Sequence, residues 1–254
     1  MNHQPRKRFG QNFLNDNLVI DRIVNFINPQ ADHNVVEVGP GLGALTQPLL
    51  DRVTALQVVE IDRDLIAKLQ ARQDEKLTIH EADVLTINWA TMANGKPLRI
   101  VGNLPYNIGT PLLLNLLDAR EHVQDIHVML QKEVVDRLCA NVGSRAFGRL
   151  SVLMQSCFDI QPLFDVPPES FTPPPKVQSA VVRLTPLASS PDAETLKKLS
   201  QATRMAFAKK RKTLRNNMKE TLSEETLIEA GLNPQARAET LTLEQFLLLA
   251  KMLP

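Results

Sequence analysis

The fold is decided by residues 34–46, which read Asn34-Val-Val-Glu37-Val-Gly39-Pro-Gly41-Leu-Gly43-Ala-Leu-Thr46. A short apolar run there leads into a glycine-rich turn, and an apolar helical pattern ending near Leu50 follows. Glycines at such a turn let the backbone approach a ligand closely and let the helix pack against the strand. The stretch therefore predicts a strand–turn–helix unit with a ligand site where the strand ends.

Three further apolar runs have the length and composition of buried strands and alternate with helical patterns: residues 55–59, 77–80 and 98–101. Glu60 follows the first run, Asp83 comes soon after the second, and Asn103 follows the third, which we expect Gly102 to end. Because parallel strands end at one edge of a sheet, these side chains are expected to line one nucleoside-binding crevice. Glu60 lies 19 residues (60 − 41) beyond Gly41, near the ~20 expected for an acid that binds ribose hydroxyls.

The segment Asn103-Leu104-Pro105-Tyr106 carries groups suited to a planar amino heterocycle such as adenine. The Asn103 side-chain oxygen and the Leu104 carbonyl, which Pro105 frees, are two acceptors for the two hydrogens of an exocyclic amine. Tyr106 offers a flat face for stacking, worth roughly 1–3 kcal/mol per base. The alternative is a strand followed by a proline turn and a core aromatic, and these four residues alone leave both interpretations open.

The glycine turn by itself leaves two cofactors open, because Gly39-Pro-Gly41-Leu-Gly43-Ala44 matches patterns of dinucleotide folds as well. NAD would place its pyrophosphate at the helix amino terminus and would need a hydride site with an acid or base, and no His or Lys occurs in a suitable loop. S-adenosylmethionine has no phosphate, and its charged tail and adenine edge suit Glu37 below the turn and Asp83 further on. The pattern favours the methyl donor.

The composition allows one large domain and a small one, since the chain has 254 residues and 43% hydrophobic content. The formal net charge is only +1 (29 − 28). Cations nevertheless cluster without acids in two places: three lie in residues 1–15, and seven lie in residues 204–219. A run of like charge repels itself unless a polyanion meets it, so we interpret the second run as an RNA contact rather than a solvated helix face.

Several classes of protein are excluded by the sequence. Cys139 and Cys157 have no CxxC partner and the five His residues lack zinc-ligand spacing, so no metal is expected and the thiols are expected to be reduced. The amino terminus has no apolar signal region, and no window approaches about 18 uninterrupted apolar residues. A soluble, cytoplasmic protein without a membrane partner is predicted.

The strand signal ends with residues 177–184, a linker of Pro and Ser follows at 186–191, and only helical patterns come after it. The sequence therefore predicts a first domain of residues 1–187 and a helical domain of residues 188–254. Within the first domain, residues 1–16 form a basic arm, and its apolar residues Phe9, Phe13 and Leu14 favour a docked segment over a solvated tail. Residues 167–176 are expected to form a rigid loop of polyproline type.

Seven segments together closely resemble the bacterial small-subunit ribosomal RNA adenine dimethyltransferases, which are related to erythromycin-resistance methyltransferases and eukaryotic dimethyladenosine transferases. The segments are Lys7-Arg-Phe-Gly-Gln-Asn-Phe-Leu14, Glu37-Val-Gly-Pro-Gly41, Glu60-Ile-Asp62, Asn103-Leu-Pro-Tyr-Asn107, Gln131-Lys-Glu-Val-Val135, Phe171-Thr-Pro-Pro-Pro-Lys-Val177 and Lys210-Arg-Lys-Thr-Leu-Arg215. Each is common singly, but jointly they are specific. The resemblance covers nearly the whole chain, and no motif position departs from it.

The resemblance implies an α/β fold: the Rossmann-like seven-stranded sheet of methyltransferases with an antiparallel last strand, followed by a small all-helical C-terminal domain that binds RNA. The implied activity transfers two methyl groups from S-adenosylmethionine to each of two adjacent adenosines near the 3′ end of small-subunit ribosomal RNA. A monomer acting on an immature 30S particle is implied as well. An RNA-binding assembly checkpoint with secondary methylation, and a DNA adenine methyltransferase, remain as alternatives.

The resemblance also implies roles for individual residues. The implied donor contacts are Asn12, Leu14, Gly39, Gly41, Glu60, Asp83 and Asn103. The target base is implied to lie between the rings of Tyr106 and Phe171, with the Leu104 carbonyl beside its amine. The alternative for Phe171 is an ordinary core residue, and the alternative for Asp83 is a helix cap.

Overall fold

The computed structural model describes residues 11–209 and 211–253. The cations predicted for the arm (Arg6, Lys7 and Arg8), Phe9 beside them, and Lys210 of the later run lie outside the described residues. The chain divides into two compact units. The first comprises the described residues up to 135 together with 161–186, and the second comprises 136–160 together with the described residues from 187 onward.

The elements are numbered in chain order. The strands are β1 (Phe13–Leu14), β2 (Asn34–Val38), β3 (Leu56–Glu60), β4 (Leu77–Glu81), β5 (Leu98–Asn103), β6 (Val123–Gln131), β7 (Phe158–Val166), β8 (Phe171–Thr172) and β9 (Ser179–Pro186). The helices are α1 (Asn17–Ile27), α2 (Thr46–Leu50), α3 (Arg63–Gln70), α4 (Trp89–Ala93), α5 (Gly109–Asp118), α6 (Lys132–Leu138), α7 (Arg149–Gln155), α8 (Ala193–Ala206), α9 (Leu214–Met218), α10 (Glu224–Glu229) and α11 (Leu243–Met252).

Within the described residues, seven strands form one sheet in the order β4-β3-β2-β5-β6-β9-β7. The pairs formed among β2, β3, β4, β5 and β6 are parallel, and β9 runs antiparallel to β6. The predicted seven-stranded sheet with an antiparallel last strand is confirmed. The strand order reverses direction between β2 and β5, and open sheets of this kind bind ligands at that reversal, beyond the carboxyl ends of the strands.

Helix α1 shows how the sequence builds one layer against the sheet. Its cap, Asp16, accepts the N–H groups of Leu18 and Val19 at 3.0 and 3.3 Å, and the helix ends where Asn28 adopts a left-handed conformation. Four apolar residues spaced three or four apart are buried in the core of the first unit: Ile20, Ile23, Val24 and Ile27. This spacing places them on one helix face.

The described part of the arm is docked rather than solvated. Strand β1 pairs antiparallel with β8, Phe13 opposite Thr172 and Leu14 opposite Phe171. The prediction of a polyproline loop at 167–176 is therefore wrong in part, because a 3₁₀ turn at Pro168–Ser170 and strand β8 lie within it. The two strands of this ladder are far apart in the chain, so no local pattern indicates their pairing.

Other boundaries also differ from expectation. Gly102 does not end the fourth predicted strand but lies inside β5, which continues to Asn103. The sequence pattern missed α4, which is only five residues long. Short helices of this kind carry little periodic signal because they span little more than one turn.

The second unit is held by packed helices. The rings of Phe207 and Phe246 stack with centroids 5.5 Å apart, and the Lys198 ammonium donates to the Leu253 carbonyl at 3.0 Å. After residue 187 the described chain contains helices and no strand beyond one isolated bridge, as predicted. The predicted boundary at 187/188 stays a prediction, and residues 136–160 group with the second unit. In the part of the chain that is described, no helix has the length and apolar character needed to cross a membrane.

Candidate active site

A cavity of about 330 Å³ opens in the first unit beyond the carboxyl ends of β2 to β5, a volume in the range of small-molecule sites. Its lining contains nearly all of the residues predicted for the site: Asn12, Leu14, Gly39, Gly41, Glu60, Asp83, Asn103, Leu104 and Tyr106. The structure thus brings together residues from five separate segments of the chain.

Phe171 is the predicted site residue that does not line this cavity. Its side chain is only 3% exposed and belongs to the apolar core of the first unit, as Leu14 and Val181 do. The pairing of β8 with the arm accounts for this burial, which matches the alternative of a core residue. Stacking of a base on Phe171 stays a prediction.

The glycine turn forms the floor of the cavity. The Gly39 N–H donates to the Val59 carbonyl at 2.9 Å, which ties the turn to β3. Gly41 has φ +60°, a conformation that strains other residues. A Cβ there would stand only 3.2 Å from the Phe13 ring, which belongs to the arm. The absence of a side chain at Gly41 therefore lets the arm pack directly on the turn.

Two acids stand at the ends of β3 and β4. Glu60 is fixed, because one of its oxygens accepts the N–H groups of Ile61 and Asp62 at 2.8 and 2.9 Å. Burial raises the pKa of Glu60, while these hydrogen bonds oppose the rise. Asp83 accepts the Leu85 N–H at 2.9 Å and caps the 3₁₀ turn that follows. Asp83 therefore has the predicted capping role and also lines the cavity.

Glu37 lies beneath the turn and is 2% exposed. The Thr46 hydroxyl donates to its carboxylate at 2.7 Å. Burial raises the pKa of Glu37 to about 7; the Thr46 hydrogen bond and the charge of Arg72 act against that rise, and the charge of Glu60 adds to it. Glu37 is thus poised to change its charge near neutral pH.

The segment after β5 is held by contacts that the sequence did not reveal. The Asn103 Nδ2 donates to the Asn12 backbone carbonyl at 3.1 Å, and the Leu104 N–H donates to the Met129 carbonyl at 3.2 Å. The Tyr106 hydroxyl lies 3.0 Å from the buried Ser179 hydroxyl, in hydrogen-bonding contact. Burial raises the pKa of Tyr106. These bonds fix the backbone and the ring where the predicted chemistry occurs.

The charge of the cavity distinguishes between the two candidate cofactors. Its lining includes the acids Glu37, Glu60 and Asp83, and none of the described residues that line it is Lys, Arg or His. A pyrophosphate would face these carboxylates, whereas S-adenosylmethionine, with a sulfonium and an ammonium against one carboxylate, carries a complementary net positive charge. The described lining therefore suits the net positive charge of S-adenosylmethionine better than the anionic pyrophosphate of a dinucleotide.

Comparison with known proteins agrees with this geometry. The family model described as ribosomal RNA adenine dimethylase matches residues 2–254. The chain belongs to this family. Membership confirms the resemblance seen in the motifs and the predicted class of enzyme, a ribosomal RNA adenine methyltransferase.

Relatives in the family cover almost the whole chain. Ribosomal RNA small subunit methyltransferase A of Laribacter hongkongensis is 52% identical over 250 residues, which cover 98% of this chain and 95% of that protein. The protein of the same name from Dechloromonas aromatica is 51% identical over 253 residues, with 99% and 98% covered.

Solved structures show the same fold. A dimethyladenosine transferase from Plasmodium falciparum gives a TM-score of 0.79 at 24% identity, with 93% of this chain and 95% of that chain covered. The 23S rRNA methyltransferase ErmE gives a TM-score of 0.72 at 26% identity, with 95% and 99% covered. The predicted Rossmann-like methyltransferase fold is confirmed.

Proposed function

We propose that this protein transfers methyl groups from S-adenosylmethionine to the exocyclic amines of two adjacent adenosines near the 3′ end of small-subunit ribosomal RNA. It acts as a cytoplasmic monomer on an immature 30S particle during ribosome biogenesis. One observation carries the proposal: in a member of this family, Asn103 lines the same cavity as the glycine turn, Glu60 and Asp83.

Four segments would hold the nucleoside and amino-acid parts of the donor, and Asn103 would contact it from a fifth. The fixed carboxylate of Glu60 would accept the ribose hydroxyls, and Asp83 would read the adenine edge. The arm at Asn12 and Leu14 and the turn at Gly39 and Gly41 would surround the amino-acid part, where the acidic lining favours its positive charge. When bound, S-adenosylmethionine supplies an electrophilic methyl group.

The target amine is a poor nucleophile because its lone pair is delocalised into the adenine ring. The Asn103 Oδ1 and the Leu104 carbonyl would accept its two hydrogens, which aims the lone pair at the methyl carbon. The methylated amine is then a strong acid and loses its extra proton to water, so no side-chain base is needed. After one transfer the amine keeps one hydrogen, and the second transfer proceeds with one of these hydrogen bonds missing.

The target base must leave its stack to reach the cavity, at a cost of a few kcal/mol. Stacking on the Tyr106 ring, which the Ser179 hydroxyl holds in place, would offset this cost. We assign Phe171 as the second face, and this role requires its buried ring to become uncovered.

Exposed cations support an RNA contact in the second unit. Five of those in the predicted run are exposed and have no ion pair among the described residues: Arg204, Lys209, Arg211, Lys212 and Lys219. Arg215 is exposed as well but pairs with Glu224 at 2.9 Å. Such cations bind phosphates without reading sequence, which suits the positioning of a large RNA substrate.

The decisive experiment incubates wild type and Asn103→Ala with labelled donor and small subunits that lack the modification. Wild type should yield dimethyladenosine by mass spectrometry of nucleosides. Asn103→Ala should transfer methyl groups about 10²–10³-fold more slowly than wild type, as expected when one oriented hydrogen-bonding group is removed. Its binding to the subunit should stay near the wild-type level. Label in duplex DNA alone would contradict the proposal. Subunit binding by wild type without methylation would favour the checkpoint alternative.

A further inference from the structure

We propose that the backbone carbonyl of Asn12 sets the orientation of the Asn103 side-chain amide, and that the arm is thereby a positioning element of the catalytic site. The inference rests on the proposed function, because it concerns the group that would accept the target amine. It predicts that methyl transfer requires an amide at position 103, and that a carboxylate there does not support transfer while it is ionised.

The first step concerns which group donates and which accepts in one hydrogen bond. A carbonyl oxygen can only accept, so the nitrogen of the Asn103 amide must face Asn12, and it does so at 3.1 Å. The Oδ1 then occupies the other branch of the amide. No donor among the described residues bonds to this oxygen. Rotation of the amide by half a turn would exchange the two branches and present N–H groups to an amine that itself donates.

The second step is that the Asn12 carbonyl is held in place by contacts other than the bond to Asn103. Gln11 donates to the Asp62 carboxylate at 3.1 Å, next to the end of β3. The Phe13 ring packs on the turn at Gly41, and β1 pairs with β8. The arm is therefore anchored by three contacts of the residues that flank Asn12, and its carbonyl can dictate the amide orientation.

The third step is what a carboxylate would do in this place. In Asn103→Asp, an ionised carboxylate would face the Asn12 carbonyl with no hydrogen to share, and the two acceptors would repel each other. Either the side chain turns or the arm separates from the strand. Protonation restores a donor, because a neutral carboxyl can give its O–H to the carbonyl while its other oxygen accepts. The defect should therefore be relieved at low pH.

The experiment compares Asn103→Asp, Asn103→Ala and a matched control, Asn34→Asp. Asn34 is also a partly buried asparagine whose amide donates to carbonyls, those of Ala93 and Lys96 at 3.1 and 3.0 Å, but it stands at the opposite end of the sheet. Single-turnover methyl transfer to the small subunit is measured from about pH 5 to about pH 9 and divided by the wild-type rate at each pH. This ratio removes the titration of Glu37, Glu60 and Tyr106, which line the same cavity; Asp83 also lines it and is present in every variant.

A second readout does not depend on activity. A fluorinated phenylalanine at position 13 reports by ¹⁹F NMR whether the ring is packed on the glycine turn. Asn103→Asp should shift this resonance near pH 8 and restore it near pH 5, as its side chain gains a proton. Asn34→Asp should leave it unchanged at both pH values.

Near pH 8 we expect Asn103→Asp to be at least about 100-fold slower than wild type. Near pH 5 its rate relative to wild type should be at least about tenfold higher than it is near pH 8. Asn103→Ala should be slow at every pH, and Asn34→Asp should keep a flat ratio near one. A flat ratio for Asn103→Asp, or an unshifted resonance, would overturn the inference. If wild type methylates no ribosomal RNA, the proposed function fails. The ¹⁹F resonance at position 13 still tests whether packing of the arm on the glycine turn depends on the amide of Asn103.

Discussion

Gly102 and Val38 lie so close that a Cβ on Gly102 would stand 2.5 Å from the Val38 carbonyl oxygen. The two residues belong to β5 and β2, the strands between which the sheet order reverses. The absence of a side chain therefore allows the two strands to approach each other directly before Asn103. The position of the Asn103 amide depends on this approach.

Gly102→Ala should destabilise the protein by about 1–3 kcal/mol, because the added methyl meets backbone that cannot yield. It should also slow methyl transfer, since the shift reaches Asn103. Thermal or denaturant unfolding and single-turnover transfer measure the two effects. Gly148→Ala is the matched control, because its Cβ would meet nothing closer than 4.0 Å. Equal stability of the two variants would show that β2 and β5 can separate at no cost.

The buried carboxyl of Glu37 should make stability depend on pH. Its pKa is raised from 4.5 to about 7 by burial, so the folded protein keeps a proton that the unfolded chain loses first. The contribution to stability is therefore fully present below about pH 4.5 and is lost as the pH rises through about 7, by up to about 3 kcal/mol. Glu37→Gln should remove this dependence in denaturant unfolding of the donor-free protein, whereas Glu75→Gln, at an exposed position, should keep it.

The charge of Glu37 should also affect donor binding. A cationic donor favours the ionised carboxylate, so its affinity for wild type should increase as the pH rises through about 7. Calorimetric titration of Glu37→Gln with S-adenosylmethionine should show weaker binding near pH 8 and a flatter pH profile. Steeper pH dependence in Glu37→Gln than in wild type would assign the titration to another group.

Methyl transfer should depend more on the Tyr106 ring than on its hydroxyl. Tyr106→Phe keeps the flat face and loses only the bond to Ser179, so kcat/KM should fall by a few-fold, and Ser179→Ala should behave in the same way. Tyr106→Leu should lower kcat/KM by about 10- to 100-fold, the value of one stacking contact. A larger loss in Tyr106→Phe than in Tyr106→Leu would mean that the hydroxyl, not the ring, carries the effect.

The exposed cations of the second unit should govern the salt dependence of RNA binding. The double variant Lys209→Ala/Lys212→Ala removes two of them, and the slope of log K against log salt should become shallower by about 1.5. Donor affinity should not change. The control Lys68→Ala/Lys251→Ala also removes two exposed lysines, from α3 and α11. An equal loss of slope in both double variants would indicate a general charge effect rather than a binding surface.

The alignment of Gly39, Glu60, Asp83 and Asn103 could be predicted from the sequence for a simple reason. Each residue follows an apolar run, and parallel strands end at the same edge of a sheet. The approximate position along the chain was therefore enough to bring these residues together, although several strand ends differed by one or two residues.

The contacts that hold Asn103 and Tyr106 in place could not be predicted in this way. The bond from Asn103 to Asn12 joins residues 91 apart, and the contact of Tyr106 with Ser179 joins residues 73 apart. Periodicity reports only which face of its own element a residue occupies. Gly102 illustrates the same limit: glycine commonly interrupts a strand, but here it permits one strand to approach another.

The pairing of β1 with β8 has a consequence for the order in which the enzyme matures on its own ribosome. The arm is made among the first residues, but its partner strand at Phe171–Thr172 is made much later. Translation must pass residue 172, and this segment must leave the exit tunnel, before the ladder of β1 and β8 can form. A nascent chain stopped earlier would already contain β2 to β6, yet it would lack the strand that pairs with the arm beside the cavity.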